Sequence, residues 1–230
     1  MKIIQRYKEI SMHRKNFDIV TNNIHYPIAS FLCTLISFSR ITPNMVTVIA
    51  ILTELGAIWL IWVNLIEYRI IIVLLFQLGW IFDLMDGMLA RYKKMGFYHP
   101  QNPSIKGFYL DAVSDHVLKF ITIGTLAYYL SLYSDNGWIL GLFGIIVHAV
   151  VQTEHTLRES ILKSIKNQKK KSQDKSPSIY NNAALLMNNI YLYYLIFILI
   201  NRVDLFFIFF ASGEIILFFK RIFKFWQTEH

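Results

Sequence analysis

The 230 residues are 55% hydrophobic and 16% aromatic, with a mean hydropathy of +0.41. That is more apolar surface than one compact soluble core hides, which places the chain in the membrane class. One cysteine, Cys33, excludes an intramolecular disulfide and a thiolate metal cluster. The net charge of +8 suits anionic headgroups and phosphorylated substrates beside a membrane, and nucleic acid is set aside as a partner.

Residues 1–44 read as a cytoplasmic N-terminal segment. It has no long apolar run beside a small-residue cleavage site, so no cleavable leader is read there. Within it "YPIASFLCTLISFSR" is apolar but too short to cross a bilayer, and Pro43 discourages helix at Thr42. This predicts an amphipathic helix lying in the interface.

A six-span membrane domain is predicted over residues 45–222, followed by a cytoplasmic tail over 223–230. The spans read as Met45–Asn64, Ile70–Ala90, Phe108–Leu132, Trp138–Val151 extending toward Arg158, Ala183–Ile200 and Val203–Phe219. Of the 23 lysines and arginines, 20 fall in residues 1–44, in the connections after the second and fourth spans, and at the C-terminus. Only Arg69 and Arg202 fall in the alternate connections, and Lys119 lies inside the third span. Basic loops are retained in the cytoplasm, so both termini are predicted there. The run "KSIKNQKKKSQDKS" is read as a solvated cytoplasmic loop.

The second span ends in "DLMDGMLAR" and the third begins in "GFYLDAVSDH". Asp83 and Asp86 are three residues apart, and Asp111 and Asp115 four, so each pair occupies one helical face, one turn apart. Two antiparallel neighbours can therefore gather four carboxylates at the cytoplasmic end. Carboxylates inside a span are costly and repel one another. Hard cations such as Mg²⁺ or Mn²⁺ offset that repulsion, and a pair of ions could hold a diphosphate. Gly87 and Ala90 lack bulk beside the acidic face, and Arg91 adds a fork suited to phosphate. Among other polar residues in the spans, Glu54, Glu214 and Lys119 are read as pairing or making a subunit contact, with direct substrate contact as the alternative. His148 and His155 are read as packing histidines, and His99 as a surface residue.

The pattern Asp83, Asp86, Gly87, Ala90, Arg91, Gly107, Asp111 and Asp115 resembles the signature of the CDP-alcohol phosphotransferases. "TPNMVT", Thr42 to Thr47, also resembles that family's lead-in to its first span. The resemblance implies a transferase of phospholipid or related glycolipid biosynthesis that moves a substituted phosphoryl group from a CDP-linked donor to an alcohol hydroxyl and releases CMP. It implies Mg²⁺ or Mn²⁺ as cofactor, two ions on Asp83, Asp86, Asp111 and Asp115. Asp115 would double as the base on the acceptor, while Asp83, Gly87, Ala90, Arg91 and Gly107 bind CDP. Arg158 and Lys163 become acceptor-site candidates, and a homodimer is implied.

The spacer between Arg91 and Gly107 holds 15 residues, including Pro100 and Pro103, longer than the family's usual one, and is read as an insertion. Either CDP-diacylglycerol meets a soluble polar alcohol, or a CDP-linked head group meets a lipid acceptor. The alternatives are a cation transporter, which would spread charge along a path through the bilayer, and a non-catalytic relative.

Overall fold

The computed structural model describes residues 2–95, 105–166, 185–187 and 189–227, and every regular element among them is helical. The N-terminal segment forms α1 (Lys2–Ser11), a wide π-helical turn (Thr21–His25) and α2 (Tyr26–Ile36). Next comes α3 (Pro43–Tyr92), whose first turn is fixed by Thr42. That residue is held extended before Pro43, and its hydroxyl accepts from the Met45 amide at 3.4 Å.

At 50 residues α3 would be far longer than a bilayer is thick, and it does not run straight. Asn64 leaves helical geometry (φ −169°, ψ 97°) and its side chain accepts from the Glu67 amide at 3.2 Å, capping a second leg. The legs fold back on each other. Thr47 meets Asp86, and a Cβ at position 79 would stand 2.6 Å from Cγ of Glu54, so Gly79 makes room for that side chain. The first two predicted spans are thus a hairpin turned on one residue, with Arg69 helical rather than in a loop.

The α4 helix (Ile105–Ser131) runs beside the first leg, where the Trp62 indole donates to Thr125 at 3.2 Å. It returns as α5 (Gly137–Lys166). Those two backbones nearly touch, since a Cβ at Gly141 would fall 2.0 Å from that of Ala127.

The predicted fifth span, Ala183–Ile200, needs correction. Its first residues lie outside those described, and Asn189 is extended (φ −87°, ψ 91°). Its carbonyl oxygen Oδ1 accepts from the Leu192 amide, and its Nδ2 donates to Asp18 at 2.9 Å and Thr21 at 3.3 Å. The helix α6 (Ile190–Tyr193) therefore starts after this residue and widens into a π-helical stretch, Tyr194–Ile198. The last helix, α7 (Val203–Gln227), outruns the predicted sixth span and takes in the first part of the predicted tail.

Successive legs alternate in direction. Phe76 packs on Tyr194 (4.5 Å between ring centroids), Phe197 on Phe209 (5.5 Å), and α7 runs parallel to α5. A core of Ile72, Phe76, Leu126, Tyr194, Phe206 and Phe207 joins them. The outer faces carry exposed Leu52, Trp59, Leu74, Leu142, Ile146 and Ile208. Among the described residues two helices, Pro43–Tyr92 and the stretch Gly137–Arg158, are long and apolar enough to cross a membrane.

One face of α2 is buried through Tyr26, Ala29 and Cys33 against Val46, Met85 and Met88, while Ile28, Phe31 and Leu35 stay exposed. Burial pushes the Cys33 thiol up to about 11, so it is a packing group and not a nucleophile.

Candidate active site

The second leg of α3 and the first turns of α4 run antiparallel, which brings the predicted acidic faces together. Single oxygens of Asp83, Asp111 and Asp115 all lie within 4.8 Å of one another. Three hard oxygen donors at this separation fit a divalent cation of the Mg²⁺ or Mn²⁺ kind. The fourth aspartate is placed differently. Asp86 is 7% exposed and its Oδ2 accepts from the Thr47 hydroxyl across the α3 hairpin. It remains an electrostatic neighbour of Asp111, one turn beyond the trio.

Cations frame the cluster. Lys119, a turn further along α4, lies 3.6 Å from Asp115. Arg91 folds back over its own helix, with Nη1 3.2 Å from where a Cβ at Gly87 would stand, so the glycine supplies the space in which the guanidinium lies. Nε of Arg91 donates to the His13 carbonyl at 2.8 Å, which fixes the fork in place. Ala90 is half-buried beside it, and Gly107 lies in the first turn of α4.

The N-terminal segment therefore walls the site. His13 packs on Tyr92 with ring centroids 6.2 Å apart, and Lys15 is an electrostatic neighbour of Asp111. Burial pushes the Tyr26 phenol up, against the Lys15 amide that donates to its oxygen at 3.0 Å. None of these roles is visible in sequence, because each depends on α1 and α2 folding onto α3. A signal for Thr47 did exist, in the quoted "TPNMVT", which does not by itself say what its last residue touches.

Deeper in the helices, Glu54 is buried and accepts from the Tyr191 hydroxyl at 2.7 Å, so its reading as a paired residue holds. Glu214 pairs with His148. Arg158 sits on α5, and its Nε donates to Glu154 at 3.2 Å. Extending the α4–α5 register set by Ala127 and Gly141 brings Arg158 level with Leu110 and Asp111. Lys163 is on the same helix, but its side chain, like the whole of His99, lies outside the described residues.

No curated protein matches the chain. The profile of one family does match, over residues 40–212, a stretch that holds the α3 hairpin, all four aspartates, Arg91 and Gly107. With well over half its length matched, the chain belongs to the CDP-alcohol phosphatidyltransferase family, a family of membrane transferases of phospholipid biosynthesis.

Proposed function

We propose that the chain is a metal-dependent CDP-alcohol phosphotransferase with six spans, whose termini and active site face the cytoplasm and which works as a homodimer. The observation that carries this reading is the meeting of Asp83, Asp111 and Asp115 within 4.8 Å beside an anchored arginine. Asp83, Asp86, Asp111 and Asp115 would hold Mg²⁺ or Mn²⁺, one ion or two, which supplies positive charge against the donor's diphosphate.

The protein's own groups do the rest. Arg91, over Gly87 and beside Ala90, offers its free guanidinium nitrogens to the CDP phosphates, with Gly107 leaving space opposite. Asp115 takes the proton of the acceptor hydroxyl. The oxygen so freed bonds to the phosphorus carrying the transferred group, the bond from that phosphorus to the bridging oxygen breaks, and CMP leaves with the electron pair. Lys119 offsets part of the negative charge around Asp115. Arg158, level with the cluster, and Lys163 are the candidates for binding the acceptor.

The test is CMP release by protein purified in detergent. CDP-diacylglycerol is offered with soluble alcohols and, separately, CDP-linked head groups with diacylglycerol. Release by at least one pair, abolished by EDTA and restored by Mg²⁺ or Mn²⁺, is expected. Full turnover after exhaustive chelation would overturn the metal's role, and no release from any pair would favour the non-catalytic relative.

A further inference from the structure

His148 and Glu214 have no part in the chemistry above. They meet across α5 and α7, Nδ1 to Oε1 at 3.2 Å, with 2% and 3% of their surfaces exposed. Each keeps a second polar atom, Nε2 of His148 and Oε2 of Glu214, for which there is no hydrogen-bond partner among the described residues. A buried donor or acceptor left unpaired is destabilising, and an apolar pair of the same volume would avoid the loss. A half-satisfied pair therefore asks for a third group.

The surroundings say where that group would come from. The rings of Phe120 and Phe210 pack on His148 at 5.4 and 5.6 Å between centroids. Tyr193 of α6 is an electrostatic neighbour of Glu214, and its hydroxyl is 2.9 Å from where a Cβ at Gly213 would be, so a larger residue there would crowd it. Phe120 lies five residues beyond Asp115 on α4, about 7–8 Å along the axis at 1.5 Å per residue. His116, next to Asp115, is an electrostatic neighbour of His148. The pair thus lies inward of the reacting end, on the side of the cluster lined by α4, α5 and α7.

We propose that His148 and Glu214 form a subsite for a second hydroxyl of the acceptor, which makes the acceptor a polyol. Its attacking hydroxyl sits at Asp115 while another bridges Nε2 and Oε2. A carboxylate oxygen takes only a donor, and the ester carbonyls of a diacylglycerol offer none. With one proton shared between Nδ1 and Oε1, Nε2 carries a hydrogen and donates while Oε2 accepts, so a hydroxyl, which both accepts and donates, serves both atoms at once. This assignment rests on the phosphotransfer reading for the place of the acceptor.

CMP release is measured with CDP-dioleoylglycerol against myo-inositol, glycerol, glycerol 3-phosphate and serine, and with CDP-choline against dioleoylglycerol. Wild type is compared with Glu214→Gln and His148→Gln. The expected result is turnover with a polyol, an acceptor KM raised about 10–100-fold in either variant, and a donor KM within about twofold. Should a single variant fail to fold, His148→Phe with Glu214→Leu removes both polar groups together and is read the same way. An unchanged acceptor KM, or transfer only to dioleoylglycerol or serine, would overturn the subsite.

If wild type releases no CMP with any pair, the phosphotransfer reading is what has failed. The subsite is then judged by binding of tritiated myo-inositol and glycerol to protein loaded with Mn²⁺ and CMP. Binding lost in Glu214→Gln supports it, whereas no binding, or equal binding in both proteins, overturns it.

Discussion

Asp86 stands apart from its three fellows because Thr47 reaches it from the other leg of the hairpin. Replacing Thr47 with Val takes one of its donors from a buried carboxylate, a loss of about 1–3 kcal/mol. The melting temperature in detergent should fall by several degrees and the Mn²⁺ requirement for CMP release should shift upward, while Thr47→Ser stays near wild type. A Val variant with unchanged melting and unchanged Mn²⁺ titration would show the contact to be idle. Asp115 should behave differently from Asp86. With Asp115→Asn the turnover should drop by about 10²–10⁴ with little change in donor KM, because the base is lost while other carboxylates remain. Asp86→Asn should instead weaken metal and donor binding, and steady-state kinetics at varied donor and Mn²⁺ separate the two patterns. The aspartates were legible because three- and four-residue spacing is a local property of a helix. The tie from Arg91 to the His13 carbonyl was not, since those residues are 78 positions apart and meet only through the fold of the N-terminal segment.

The elements were legible to the extent that hydropathy alone decides them. It located the two legs of α3, α4 and the start of α5 within a few residues, fell short of the end of α5 at Lys166, and misread the stretch before Ile190. There the side chain of Asn189 is drawn to Asp18 and Thr21, which ends the helix in the middle of an apolar run. At Asn64 the connection is shorter than predicted because that residue alone leaves helical geometry and its side chain caps the next leg at the Glu67 amide. Alternation of the legs carries a prediction of its own. A reporter tag at either terminus, or within residues 165–176, should read as cytoplasmic, and one beside Ser134 should read from the opposite side. A cytoplasmic signal at Ser134 would reverse the orientation and the placement of the site with it.

At the scale of the molecule, apolar side chains face outward along the legs, and the half-buried acidic cluster sits at one end of the bundle, flanked by the N-terminal segment through the tie of Arg91 to His13. Such a cluster repels itself, so a cation that binds only the folded state should stabilise the whole protein by mass action. Millimolar Mn²⁺ should raise the melting temperature of the wild type, and the rise should shrink in Asp83→Asn and Asp111→Asn. An equal rise in these variants would place the ion elsewhere. The rival of a transported ion fares poorly at this scale, because Glu54, Lys119 and Glu214 each have a protein partner and form no continuous file among the described residues.

The hairpin in α3 also orders events during synthesis. Thr47, Glu54, Gly79 and Asp86 all belong to one uninterrupted stretch, so these contacts can close as soon as residue 92 has left the ribosome. Asp111 and Asp115, 19 and 23 residues further along the chain, have yet to emerge at that moment. Half of the acidic centre is therefore assembled by neighbours in the chain, with Thr47 already holding Asp86, while the other half must be delivered by a later helix. A nascent chain arrested between the two would present Asp83 without its companions, a state in which the translocon, rather than the finished bundle, has to shelter the charge.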